Sequence, residues 1–235
     1  MSQTDGPELV PGAVPASAAV HSFVLASASP ARRRVLADAG ICPMVQVSGV
    51  DEDALTATLI AERGVIAPAD LALLLAQAKA RDVARDFAER PGHLIVGCDS
   101  VFELDGIAYG KPLTPAVAIE RITAMAGRTG LLHTGHWVVL DGREVGRTAT
   151  TTVEFAPMQA AEIAAYVATG EPLQVAGAFT LDGRAAPYVR RIVGDPSNVL
   201  GISLPTMRDL VESLGVPWPA LWGADTQAAT GGSLT

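Results

Sequence analysis

The chain has 235 residues, 49% apolar and 18% charged, enough to bury a core in one large or two small domains. Its formal net charge of −8 argues against a long nucleic acid as partner, which needs a broad basic surface, so an anionic ligand must be small and met by local positive charge. Cys42 and Cys98 are the only cysteines and lack CxxC spacing, and neither a basic signal-type N-terminus nor a long apolar run occurs, which together predict a cytoplasmic protein without disulfide scaffold, zinc site or membrane span.

In chain order, residues 1–21 are rich in Pro, Ala, Ser and Gly and read as a disordered arm, and 217–235 read as a flexible tail. The body over 22–216 reads as a single unit. Phe23-Val24-Leu25-Ala26 predicts a strand, followed by a tight turn at Ser27-Ala28-Ser29-Pro30 and a helix closed by Gly40. A long Ala/Leu-rich helix is expected over 69–90, then an apolar strand over 94–98 that ends at Asp99. Asp105-Gly106 marks a turn, and Thr114-Pro115 opens a helix that Gly127 closes. Two runs, 137–140 and 148–155, flank Asp141-Gly142 as a hairpin with several residues between turn and second strand. Helices near 160–168 and 205–214 complete the pattern. Hairpins mixed with helical crossovers predict an α/β fold with a mixed twisted sheet and flanking helices.

Four features offer chemistry. Ser29 and Pro30 are good first residues of a helix, yet Arg32, Arg33 and Arg34 follow, where cations oppose the helix dipole. Either an anion such as phosphate sits against this turn, or the arginines are solvated or ion-paired. Asp99-Ser100 after an apolar strand occupies a common ligand position of α/β sheets, although such a carboxylate also serves as a turn residue. Asp51-Glu52-Asp53 supplies oxygen ligands suited to Mg²⁺, or else a solvated loop. Lys79 and Lys111 could hold phosphate; each alone also reads as a surface lysine. P-loop, GxGxxG and GxSxG patterns are absent, and His133 and His136, three apart near a strand start, would face opposite sides of it. The Gly-rich segments 170–179 and 194–205 alone read as turns.

Together these segments resemble the Maf family, in order over about 23–214. LASASPARRRVLADAG is similar to its LASxSPRRxxLLxxxG signature, GCDSVFELDGIAYGKP to its GADTxVxxxGxxxGKP block, and MAGRTGLLHTG, EPLQVAGAFTLDG and GDPSNVLGISLP to its later blocks. The resemblance implies an elongated two-lobed body with a central cleft, and hydrolysis of nucleoside triphosphates between the α- and β-phosphates with Mg²⁺ or Mn²⁺. It implies Asp99 as catalytic base or metal ligand, Glu52 as a second metal ligand, Ser27, Arg32, Lys79 and Lys111 as triphosphate-binding residues, and a homodimer. Ala31, Ser100 and Asp182 depart from the family pattern where base choice is tuned, so the resemblance leaves the base open, and Val175 stands where many members carry Lys, so one of the family's phosphate contacts is missing or supplied elsewhere. A nucleotide-binding regulator of septum formation with little turnover is the reading from another class, and release of orthophosphate from the terminal position is a further one.

Overall fold

The structure, a computed structural model, describes residues 20–223. The arm expected over 1–21 lies almost wholly outside that range, as do residues 224–235. In chain order the elements are β1 (Ser22–Leu25), α1 (Pro30–Asp38), β2 (Met44–Val45), α2 (Glu52–Arg63), α3 (Pro68–Ala84), β3 (His93–Leu104), β4 (Ile107–Tyr109), α4 (Pro115–Met125), β5 (Thr129–Leu140), β6 (Arg143–Phe155), α5 (Ala160–Ala168), β7 (Val189–Val193), α6 (Pro196–Val199) and α7 (Leu204–Ser213). Helix starts follow their caps: Ser29, Asp51, Thr114 and Ser203 each accept a hydrogen bond from a backbone N–H of the first turn. α2 was not anticipated. Its first turn carries Glu52 and Asp53, which the helix dipole favours, so the acidic trio begins a helix and does not form a loop.

The seven strands form one mixed sheet in the order β2-β1-β3-β5-β6-β7, with β4 paired to β3. β1 runs parallel to β2 and β3, and the remaining pairs are antiparallel. The expected mixed α/β architecture is therefore present. Three details differ from expectation. The β5–β6 hairpin is tight, with Leu140 opposite Arg143 and positive φ at Asp141 and Gly142, so β6 begins at the turn without intervening residues. α3 stops at Ala84, and a 3-10 turn over Arg85–Phe87 leads toward β3. Asp99 does not end its strand: β3 continues to Leu104 because β5 pairs with it up to Glu103.

What ends near Asp99 is the neighbouring strand. β1 pairs with β3 only through Val96, and β4 takes up that edge again at Phe102. Residues 97–101 thus form a notch in the sheet, bordered by β5 on one side only. Two cores lie on either side of it along β3. One packs Leu25, Leu36, Val96, Cys98, Met207 and Val211 between sheet, α1 and α7. The other packs Phe102, Ile122, Phe155, Tyr166 and Phe179 among sheet, α4 and α5. On the opposite face α3 lies directly on the sheet over Gly97, where an added Cβ would stand 2.2 Å from the Ala76 carbonyl oxygen. The segment from Pro217, expected to be flexible, contains a 3-10 turn over Trp218–Leu221, and Leu221 enters the first core, which its apolar side chain explains.

Candidate active site

Successive side chains of a strand point to opposite faces, so Asp99 and Ser100 look to different sides of the notch. On the α3 side, Asp99 is 7% exposed and meets Lys79, itself 8% exposed. Lys79 Nζ lies 2.5 Å from Asp99 Oδ1 and 2.7 Å from Glu52 Oε1. One ammonium thereby joins a mid-strand carboxylate to the first residue of α2. Burial pushes the Asp99 carboxyl up from the ordinary range, outweighing the downward pull of Lys79 and Arg32. Glu52 is more open: burial pushes it up, but Lys79, Lys111 and Arg32 together bring it below its usual value. Lys111 is exposed on the segment after β4, and its charge reaches this carboxylate.

On the other side Arg32 replaces the missing strand. It is 8% exposed, and its Nη1 donates to the Cys98 carbonyl at 2.8 Å and to Ser27 Oγ at 2.8 Å. Its Nη2 donates to Ser100 Oγ at 3.1 Å, and its Nε to the Gly201 carbonyl at 2.7 Å. The helix start that looked electrostatically inconsistent is thus partly reconciled by protein oxygens. Arg34 pairs with Asp38 and Asp182, at 3.8 and 3.7 Å, and Arg33 is exposed. Asp182 accordingly stands beside the same helix, and half-buried Ala31 contributes only a methyl group to its first turn. Cys98 takes no part as a nucleophile, since burial pushes its thiol up to about 11. His133 and His136 do face opposite sides: His133 meets Glu103 at 2.9 Å, while His136 accepts from the Ser203 N–H at 2.8 Å.

The site is therefore two buried cations set against two carboxylates and two serine hydroxyls around one interruption of the sheet. A family model described as Maf-like protein matches residues 22–214. The chain belongs to the Maf-like family. A nucleoside triphosphate pyrophosphatase of Streptomyces coelicolor is 53% identical to this Maf-like protein over 202 residues, covering 85% of this chain and 94% of the relative. One of Leifsonia xyli is 48% identical over 204 residues, covering 84% and 95%. One of Nocardia farcinica is 53% identical over 207 residues, covering 86% and 96%.

Within this Maf-like protein the structure brings together Ser27, Arg32, Glu52, Lys79, Asp99 and Ser100, with Lys111 at the electrostatic margin. Ala31 and Asp182 fall on the α1 side. Sequence reasoning missed Thr134 and Gly201, which hold Ser100 and Arg32. The signal was available in LLHTG and GDPSNVLG, blocks that alone read only as a strand start and a turn.

Proposed function

We infer that this Maf-like protein hydrolyses nucleoside triphosphates to the monophosphate and pyrophosphate. The observation that carries the reading is the convergence of Glu52 and Asp99 on one cation, beside an arginine-bearing helix start. The shared name of the relatives supports the same reaction and favours an enzyme over a regulator without turnover.

The donor set fits a divalent ion. Two carboxylate oxygens already meet the Lys79 ammonium within 2.7 Å, and Mg²⁺ commonly takes one or two carboxylates with phosphate oxygens and water completing its shell. Held by Glu52 and Asp99, Mg²⁺ or Mn²⁺ would supply Lewis-acid polarisation of the phosphoryl oxygens. Asp99, its carboxyl raised by burial, takes the proton of the attacking water. The water oxygen bonds to the α-phosphorus, the bridging bond to the β-phosphate breaks, and pyrophosphate leaves. Lys79, Lys111, Arg32 and the Ser27 hydroxyl balance the charge growing on that leaving group.

We assign the activity to the unit over 22–216, with a homodimer in the cytoplasm as its setting. The family match over 22–214 supports most of that unit, and the packing of Leu221 into the first core carries its C-terminal end a few residues further. The test is chromatography of products from a panel of ordinary and modified nucleoside triphosphates with Mg²⁺ or Mn²⁺. Monophosphate and pyrophosphate are expected; diphosphate with orthophosphate overturns the reading. Asp99→Asn should lower turnover by several orders of magnitude while the far-UV circular dichroism spectrum shows the fold retained, the lost ion pair with Lys79 lowering the melting temperature only.

A further inference from the structure

We propose that Ser100 is a positioning residue for the phosphate site: its hydroxyl, with the Gly201 carbonyl, fixes the Arg32 guanidinium so that one N–H remains for substrate, and Ser100 does not read the base. The inference rests on the triphosphate reading above and deepens it at one position.

A guanidinium has five N–H groups. Four are engaged within the protein: Nε with Gly201 O, Nη1 with Ser27 Oγ and Cys98 O, and Nη2 with Ser100 Oγ. The remaining hydrogen is on Nη2, the nitrogen Ser100 holds. Bidentate pairing of Arg32 with a phosphate would break one of these bonds, so the residue meets an anion with a single donor and its buried charge. Ser27 supplies a second donor. Its oxygen accepts from Arg32 Nη1 at 2.8 Å and from Ser29 N–H at 3.3 Å, which leaves its own hydrogen to give.

The direction of the network shows how Ser100 sets this arrangement. Thr134 Oγ1 donates to the Asn198 carbonyl at 3.3 Å, so its contact of 3.0 Å with Ser100 is made with Ser100 donating. Hydrogen bonds then run one way, from Arg32 to Ser100 to Thr134 to Asn198. Both the donor and the acceptor capacity of the Ser100 hydroxyl used here serve Arg32 and β5. Gly201 fits tightly against the pair: a Cβ added there would stand 3.2 Å from Arg32 Nε and 3.6 Å from Ser100 Oγ. Asp99, one residue earlier, faces the other side of the strand toward Lys79. A change at position 100 therefore reaches the substrate through the cation that meets its phosphates, which every nucleotide shares.

The test compares Ser100→Ala and Ser100→Thr with the wild type. KM and kcat are measured for triphosphates of at least four bases, and pyrophosphate binding with Mg²⁺ is measured by calorimetry. Ser100→Ala should raise KM by one common factor for all bases, about tenfold for one charge-assisted hydrogen bond, and weaken pyrophosphate by a similar factor. The kcat/KM ratios between bases should stay within about twofold, the scatter of a uniform loss. Ser100→Thr, which keeps the hydroxyl, should restore most of the affinity. Thr134→Val, one step further along the chain, should give the same pattern and serves if Ser100→Ala fails to fold. A changed ratio between bases with unchanged pyrophosphate affinity overturns the proposal, as does Ser100→Ala without effect on either. Calorimetry reads pyrophosphate without turnover, so a wild type that binds it but does not hydrolyse triphosphates ends the pyrophosphatase reading alone; a wild type that does not bind it ends both.

Discussion

Lys79 is the one ammonium that meets both Glu52 and Asp99, with its side chain 10% exposed and that of Asp99 9% exposed. Removing one partner from a buried ion pair leaves an uncompensated charge, at a cost of about 3–5 kcal/mol. Lys79→Met is therefore expected to lower stability by roughly that much at neutral pH, and millimolar Mg²⁺ to recover part of it by occupying the freed carboxylates. Urea midpoints with and without Mg²⁺ measure this; an unchanged midpoint in both would mean that the carboxylates do not depend on a cation. The sequence could not distinguish this lysine from Arg81 near it on α3, because burial depends on which side of the helix meets the sheet. Lys79 and Arg81 are about 200° apart around a helix, and only the first points into the molecule. His136 is a second buried titratable group. Burial, with Arg32 adding repulsion, holds its imidazole down to about 4, below an ordinary value near 6.5. The unfolded chain then takes the proton first, so the stabilisation is complete above about pH 6.5 and is lost as pH falls through about 4, roughly 3 kcal/mol in all. Denaturation midpoints between pH 7 and 4 should show this slope, and His136→Gln, which can accept from Ser203 but takes no proton, should flatten it.

Among the elements, α3 depends on its close approach to β3. Gly97→Ala would drive a methyl group against the Ala76 carbonyl and displace the helix, at about 1–3 kcal/mol for an overpacked core. Lys79 lies one turn beyond Ala76, so activity should fall further than the melting temperature indicates. Parallel thermal scans and rate measurements would separate the two, and equal losses would mean that Lys79 stays in place. The strand–turn–helix over β1 and α1 was readable because Ser29 and Pro30 are strong local signals, and Asp141-Gly142 likewise announced its hairpin. α2 gave no such pattern, since Leu59 is its one buried residue and the acidic start had another reading as a set of oxygen ligands. β7 carries exposed Arg190 and Arg191 at a sheet edge and lacks apolar alternation. The bounds of β3 were misread at Asp99 because the apolar run ends there, while the backbone pairing that prolongs the strand comes from β5, whose Gly135 and Leu131 stand opposite Asp99 and Glu103 from a distant part of the sequence.

At the scale of the molecule, three cores pack on one sheet and the site lies between the two that flank the notch along β3, an arrangement that family resemblance suggested and local periodicity did not. The first core extends to Leu221, beyond the expected domain end, because residues spaced among Pro and Gly carry no period yet still bury apolar area. Leu221→Ala should cost about 2–5 kcal/mol, and a change under half a unit in urea unfolding would place that residue outside the cooperative core. The notch over 97–101 has a consequence for behaviour in company as well as for chemistry. A strand edge without a partner is a template on which a foreign chain can add its own backbone, and charged side chains are among the means by which sheets discourage such growth. Arg32, by occupying the Cys98 carbonyl, places a cation at that opening. Arg32→Leu should accordingly raise light scattering during refolding as well as weaken substrate binding, so the residue that receives an anion also blocks strand addition at this edge.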